Sequence, residues 1–558
     1  MKYENIFSLL ENITEENSEN ISLGIKTSLG WNEFTYKGLG LLSRQLACYL
    51  MDDLKIEKCQ KLAILSESMP EYGACVFGAV LAGLTIVPLD NKLTIYELKN
   101  ILSDSEPVVL MCSLSNIDRA KELQASIPSI QHVILMEKCE NDNEFQSLYS
   151  IPKNYNAKWR RRPLRDTALI IYTSGTTGTP KGVETTYKNM LSQMHDLKYV
   201  MDEMLPKGRK MNILSILPMN HLFELTVGFF TFLNRGFSIY YAKSLKPKDI
   251  MQVMNEKQTT FMITVPAFLK LLKSSIESDV SKLEPFHKTM FWFRYRLAKY
   301  LPMGLRKYLF KGVHKKFGGN LYGFLPGGAP LDYPIGKFFA RLGFRIFQGY
   351  GLSEASPVVA MNRGKYQDLK SVGQSLKSFE VKVDEKTSEL LVKGPSVMKG
   401  YYKRDEITKE TITEDGWLHT GDIAKIDKHG LIYITGRIKN LIVLSGGKKV
   451  FPEEVESVLE KSSNFAEVCV VGLSKTFGEK DGNEEIAAII VPKKEYADSF
   501  SDKKELENAV TSEVKALSKQ LAHYKRPIKI IVREDVLPRT TTNKVKRKAV
   551  QESYSLAQ

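Results

Sequence analysis

Eight short runs of apolar, largely β-branched residues recur through the first half of the chain, separated by helix-length stretches. They are LAILS (62–66), LTIVPL (84–89), VVLMC (108–112), HVILM (132–136), TALIIYTSG (167–175), NILSILP (212–218), FSIYYA (237–242) and TFMITVP (260–266). Apolar runs without alternation read as strands buried on both faces, and helix-length spacers make them βαβ units of parallel sheets. No repeat of fixed period and no low-complexity tract interrupts the pattern. From about Ser378 the texture changes to closely spaced short strands, FEVKV, SELLVKG, GLIYITGR and NLIVLSGG. After Ile438 it returns to a mixture of helix (Pro452–Lys461, and around Lys503–Gln520) and strand (EVCVVGL, EIAAIIV). The expectation is an α/β protein with a large N-terminal body of parallel-rich sheets covered by helices, plus a small β-region. A smaller α+β C-terminal domain follows, with the boundary at Lys439 (1–438 and 439–558).

One stretch, Tyr72 to Leu89, carries no charge over 18 residues and is long enough to consider as a membrane span. Gly73, Gly78, Gly83 and Pro88 break it and it ends in Thr85-Ile86-Val87, so a buried helix, a glycine stop and a buried strand are expected instead. The N-terminal MKYENIFSLLENITEENSEN has no charged and apolar leader pattern, so secretion is not expected. The six Cys include no CxxC pair and the eight His do not cluster, which argues against a disulfide scaffold and a structural zinc site. A cytoplasmic location is expected.

Net charge is +15, from 79 Lys and Arg against 64 Asp and Glu, which attracts an acidic partner or a polyphosphate. Part of it is concentrated. Between Pro285 and Leu331 there is no Asp or Glu, whereas Lys288, Arg294, Arg296, Lys299, Arg306, Lys307, Lys311, Lys315 and Lys316 accumulate among large apolar residues. Such interleaving over 285–320 fits a peripheral contact with anionic membrane at its inner face, or a helix pair whose aromatics belong to the core.

The strongest chemical signal is Tyr172-Thr-Ser-Gly-Thr-Thr-Gly-Thr-Pro-Lys-Gly-Val183, directly after an apolar strand. Thr173, Ser174, Thr176 and Thr177 offer hydroxyls, Gly175 and Gly178 let backbone N–H groups turn inward, and Lys181 adds a mobile cation. Together they make a grip for phosphate oxygens. The Walker pattern fails, because Pro180 precedes the lysine and Gly182 follows it. Gly327-Gly328-Ala329 follows LYGFL and allows a flat ring to lie on the backbone. Gln348-Gly349-Tyr350-Gly351-Leu-Ser353-Glu354 supplies an aromatic face, a hydroxyl and a hard carboxylate oxygen. Asp422 and Arg437 stand 15 residues apart, suited to ribose hydroxyls and to ribose or phosphate.

In the order and spacing of these motifs the chain resembles the acyl- and aryl-adenylate-forming (AMP-binding) superfamily, whose phosphate loop reads YTSGTTGxPKGV. It is most similar to long-chain fatty acyl-CoA synthetases. The resemblance runs from about Phe34 to Lys548. It implies ATP, Mg²⁺ and coenzyme A as reactants, with adenine held at Gly327–Ala329 and Tyr350. It assigns the metal to Glu354 and Thr176, and the triphosphate to the 173–181 loop. Lys439 becomes a hinge to a mobile C-terminal domain. The loop with Gly446 and Gly447 lines the tunnel for the thiol, and Lys544 bridges the acid and the α-phosphate. Asn543 stands where the family pattern PRTxTGK has glycine, and asparagine also tolerates left-handed angles. Leu217–Glu224, with His221 and Phe223, faces the acid; Met219 occupies a place where amino-acid-activating relatives carry Asp. Phe229, Phe230 and Phe232 read as tunnel lining or as core.

The reaction implied is fatty acid + ATP + CoA giving acyl-CoA, AMP and diphosphate. Acyl carrier protein is the alternative acceptor, since that acidic protein suits a basic enzyme. A non-catalytic nucleotide- or nucleic-acid-binding protein is the alternative of a different class. No nucleic-acid fold signature appears, so no nucleic acid is expected.

Overall fold

The computed structural model describes residues 5–555 apart from 29, 139–144, 156–158, 174–179, 206–210, 365, 445–447, 475–483 and 540–544. The chain divides into two compact units. The larger comprises Met1–Val381, Val392–Leu418 and Lys428–Ile432; the smaller comprises Lys382–Leu391, His419–Asp427 and Tyr433–Gln558.

The larger unit is built on two sheets made of the apolar runs. One has eight strands, in the order Gly400–Tyr401, Lys181–Thr186, Thr167–Thr173, Thr85–Leu89, Lys61–Leu65, Val109–Cys112, His132–Leu135 and Gln146–Ser147. It is parallel from Thr167–Thr173 to its far edge. The two strands at the other end run antiparallel to their neighbours. The other sheet has seven strands, in the order Arg345–Ile346, Gly323–Pro326, Phe261–Thr264, Asn212–Ser215, Ser238–Tyr241, Ile21–Thr27 and Gly30–Thr35, antiparallel only at the last pair. Every residue of Thr85–Leu89, Val109–Cys112 and Phe261–Thr264 is buried, as central parallel strands require.

The uncharged stretch resolves into a helix, Pro70–Leu81, and the strand Thr85–Leu89, turned by Gly83 at φ +73°. Proline opens this helix, Pro266–Ser281 and Pro285–Leu297, where its missing N–H costs no helical bond. Capping boxes at Thr94/Glu97 and Thr186/Asn189 start two more. No helix of the described residues is long and apolar enough to cross a membrane. A third set of antiparallel strands in this unit joins Gly349–Gly351, Val358–Met361 and Gly373–Ser375, with Gly373 and Gln374 paired to Ile432 and Leu431.

The smaller unit centres on Phe465–Ser474, antiparallel to Glu484–Pro492, which runs parallel to Lys529–Val532. Pro452–Leu459 and Lys503–Ser518 pack Val455, Leu459, Val510 and Val514 against one face of this sheet. Leu537 and Val550 cover the other.

Candidate active site

The strands on either side of residues 174–179 form a hairpin. Thr167–Thr173 and Lys181–Thr186 pair antiparallel, with Thr173 opposite Lys181, so the loop leaves and re-enters at adjacent positions. Ser174, Gly175, Thr176, Thr177 and Gly178 lie outside the described residues. Gly182 is required beside the hairpin: a Cβ there would lie 2.7 Å from Ile170 Cγ2. Tyr172, at the base of the loop, donates its phenol O–H to Asp104 Oδ2 at 2.6 Å.

The strand Gly400–Tyr401 adds to this hairpin, with Gly400 opposite Glu184 and Tyr401 opposite Val183. That register places the Tyr401 ring 5.4 Å from Lys181 Nζ. The Tyr401 O–H donates to Glu354 Oε1 at 2.8 Å, while the Glu354 carbonyl accepts the Met398 N–H at 2.8 Å. Burial, and then the charge of Glu354, push the Tyr401 phenol well above its ordinary value, so it stays protonated and keeps donating. Lys181 and Glu354, 173 residues apart in sequence, thus meet around one phenol ring. Tyr401 was absent from the sequence-based set; its only signal was a glycine preceding two aromatics at Gly400-Tyr401-Tyr402.

Glu354 sits in a 3-10 turn, Ser353–Ala355, which follows the strand Gly349–Gly351. Gly351 has to be glycine, because a Cβ would lie 1.9 Å from the Pro357 carbonyl oxygen. Tyr350 is half-buried within this strand. The Gln348 side chain is buried, and its Oε1 has no hydrogen-bond partner among the described residues. A buried amide oxygen without a partner is a place where an incoming donor would be rewarded.

The second group comes from the segment 217–224. Phe223 packs on Gly327, where a Cβ would lie 2.6 Å from the ring. The Phe223 N–H donates to His221 Nδ1 at 3.3 Å. Gly328 takes φ +80°, a left-handed angle suited to glycine, and Gly328 and Ala329 are exposed. Glu224, next in the chain, is fully buried in the π-helical segment Glu224–Thr231. Its Oε2 accepts the Ser215 hydroxyl at 2.5 Å, and its Oε1 has no partner among the described residues. Burial pushes this carboxyl up to about 8, so it is neutral at pH 7. Phe229 and Phe230 are fully buried too, 5.1 Å apart, each within 5.5 Å of Phe77.

In the smaller unit Arg437 Nε donates to Asp422 Oδ1 at 2.6 Å. The carboxylate is buried and the guanidinium largely exposed, so the pair presents its cationic side outward. Lys439 is exposed in the turn Ile438–Asn440, two residues on. Gly446, Gly447 and Lys544 lie outside the described residues. On either side of Lys544's segment, Arg539 and Val545 form an antiparallel bridge and the Lys546 N–H donates to the Pro538 carbonyl at 2.7 Å.

Residues 15–402 match the AMP-binding enzyme family, and residues 454–544 match the AMP-binding enzyme C-terminal domain. The chain is 26% identical to the long-chain-fatty-acid–CoA ligase FadD15 of Mycobacterium tuberculosis, over 94% of its own length and 90% of that protein's. It is 27% identical to the long-chain-fatty-acid–[acyl-carrier-protein] ligase AEE15 of Arabidopsis thaliana, over 90% and 79% respectively. Among solved structures, ATP-bound MatB from Rhodopseudomonas palustris superimposes with a TM-score of 0.77 over 98% of both chains at 24% identity. The Mycobacterium tuberculosis fatty acyl CoA synthetase does so at 0.68, over 100% of this chain and 99% of that one, at 23% identity. The matches through both parts of the chain lead to one assignment: the protein belongs to the AMP-binding enzyme family, close to the fatty acyl-CoA synthetases.

Proposed function

We propose that the protein activates a long- or medium-chain fatty acid with ATP as an acyl-adenylate and then transfers the acyl group to the thiol of coenzyme A. The observation that carries this reading is the family match through both parts of the chain, together with the Lys181–Tyr401–Glu354 cluster. Met219, buried and uncharged beside His221, supports an acid without an ammonium group.

A carboxylate is a poor acyl donor, because its charge repels nucleophiles and oxide leaves badly. Attack of its oxygen on the α-phosphorus expels pyrophosphate and leaves an acyl group bonded to AMP, a good leaving group. No enzyme nucleophile is needed; the protein's work is charge neutralisation and alignment. Lys181 and the 173–178 loop neutralise the triphosphate, and Tyr401 fixes Glu354 in place through its hydrogen bond. The hard carboxylate oxygens of Glu354 fit Mg²⁺, which with Thr176 they would hold, and the ion would supply further neutralisation of the phosphates. Tyr350 and Gly327–Ala329 receive the adenine, with the Gln348 amide behind. The buried Asp422 carboxylate accepts the ribose hydroxyls beside Arg437. Lys544 draws the acid and the α-phosphate together. Rotation about Lys439, at the boundary between 1–438 and 439–558, then withdraws Lys544 and brings the loop of Gly446 and Gly447 to the thiol.

The test is ATP- and Mg²⁺-dependent pyrophosphate release with palmitate, offered CoA or acyl carrier protein, with the acyl product identified. Palmitoyl-CoA, lost in Lys544→Ala, supports the proposal. Palmitoyl carrier protein alone would keep the chemistry and move the acceptor, as the likeness to a carrier-protein ligase and the +15 charge allow. No pyrophosphate with any acid from acetate to palmitate would overturn it.

A further inference from the structure

The last turn of the helix Ile95–Ser105 carries an acid, Asp104, and no basic residue. The helix itself does not favour this side chain, since an acidic group at a C-terminal end meets the negative pole of the helix dipole. Its partners come from two other elements. One carboxyl oxygen, Oδ2, accepts the Tyr172 phenol O–H at 2.6 Å, and the other, Oδ1, accepts from Arg404 Nη2 at 3.2 Å. Lys403 adds a third tie at the same corner, donating from Nζ to the Asp104 carbonyl at 2.8 Å and to Glu106 Oε2 at 2.9 Å. Burial, and then the hydrogen bond to Asp104, push the Tyr172 phenol well above its ordinary value, so it stays a donor.

Both partners of the carboxyl group adjoin the Lys181–Tyr401–Glu354 cluster. Tyr172 stands opposite Gly182 in the hairpin, one register position from the Thr173–Lys181 pair, and a Gly182 Cβ would lie 3.2 Å from its ring. The Gly182 carbonyl accepts the Tyr402 N–H at 2.8 Å. The Arg404 N–H donates to the Tyr401 carbonyl at 3.0 Å, and the Tyr401 phenol donates in turn to Glu354. The strands Thr167–Thr173 and Gly400–Tyr401 are not neighbours in the sheet, because Lys181–Thr186 lies between them. One carboxyl group therefore ties the strand leading into residues 174–179 to the turn behind the strand that carries the Glu354 donor, across the strand that carries Lys181.

We propose that Asp104 is a positioning residue for nucleotide binding, holding the root of the 173–178 segment and the Tyr401–Glu354 arm in one fixed relation through Tyr172 and Arg404. The inference rests on the proposed assignment of the triphosphate to Lys181 and that segment. A polyphosphate has to be met from both sides at once, so a change in the spacing of the two sides weakens its binding even where each side is intact. Alanine at 104 removes both ties while suiting the last turn of the helix better than an acid does, which separates the effect on the site from the effect on the helix.

The test is calorimetric titration of the full-length protein with Mg²⁺ and α,β-methylene-ATP, an analogue that cannot release pyrophosphate, beside pyrophosphate release from ATP with palmitate. Asp104→Ala should weaken analogue binding about tenfold and raise the KM for ATP to match, with the KM for palmitate unchanged. Tyr172→Phe and Arg404→Gln should each weaken binding about threefold in the wild type and add nothing in the Asp104→Ala background. Should Asp104→Ala fail to fold, the two single variants carry the test. Glu106→Gln, which loosens only the Lys403–Glu106 tie at the same corner, should bind the analogue as the wild type does. A lowered melting temperature with analogue affinity unchanged in Asp104→Ala would make the residue a structural tie and overturn the proposal. So would an equal loss of affinity in Glu106→Gln, or full additivity of Tyr172→Phe with Asp104→Ala. A wild type that binds the analogue but releases no pyrophosphate with any acid would count against the proposed reaction alone; one that does not bind it would overturn both.

Discussion

Two glutamates in the larger unit occupy opposite environments. Glu354 lies half-buried in a turn at a sheet edge, met by a phenol and near a lysine. Glu224 lies fully buried in a π-helical segment, met by one serine hydroxyl among phenylalanines. The same side chain therefore accepts a phenol hydrogen bond within reach of solvent in one region and is a neutral acid in the other. What decides is whether the neighbours replace the water that a carboxylate loses. Each glutamate closes a motif of comparable appearance, so the identity of the residue says little without the shell around it.

The widest separation between the two should come from Glu354→Gln. With the proposed role, pyrophosphate release falls about 10³-fold, on the order of 4 kcal/mol of barrier, with little change in melting temperature. An equal loss of stability would erase the contrast. Glu224→Gln should do the reverse, through pH. A carboxyl raised from its ordinary 4.5 to about 8 holds its proton folded and releases it unfolded across that interval. Stability contributed by this group therefore falls as pH rises, by about 1.4 kcal/mol per unit between roughly pH 5 and 8. Urea unfolding should show this decline for the wild type relative to Glu224→Gln; parallel curves would mean that Glu224 is charged. Gly228→Ala is next in size. A Cβ there would lie 2.4 Å from the Glu224 carboxyl, and overpacking of that kind costs about 1–3 kcal/mol, readable in the urea midpoint. The smallest effect belongs to Tyr401→Phe, which removes one hydrogen bond from Glu354. A roughly tenfold fall in pyrophosphate release, about 1.4 kcal/mol, is expected, and an unchanged rate would make the phenol a spectator.

The strands were legible because parallel sheets write themselves as uninterrupted apolar runs, and Gly83 marked the turn between a buried helix and Thr85–Leu89 before any coordinates. Asp422 and Arg437, singled out for ribose hydroxyls and for ribose or phosphate, are hydrogen-bonded to each other. Tyr401 was not legible: it reaches Glu354 only because a two-residue strand pairs with a hairpin far upstream, and no local pattern encodes such a register. The neutrality of Glu224 was missed for a different reason. A lone acid inside Leu222-Phe-Glu-Leu-Thr-Val-Gly-Phe-Phe230 hints at burial, but the sequence does not show that the only hydrogen bond to meet it among the described residues is the Ser215 hydroxyl, too little to offset that burial. The split of the 285–310 aromatics between core and surface likewise required knowing which side the Phe310 and Phe338 rings approach.

The edge strand Gly400–Tyr401 also bears on biosynthesis. Lys399, which donates to Glu184, lies 215 residues beyond it. A ribosome must therefore deliver about two hundred further residues before the outer rim of the Lys181–Thr186 strand is paired. Until then the nascent chain exposes an unpaired strand edge of the kind that templates aggregation, and Glu354 lacks its phenol. Capping that rim and completing the Lys181–Glu354 cluster are one event, so prematurely terminated chains would be at once sticky and without the finished cluster.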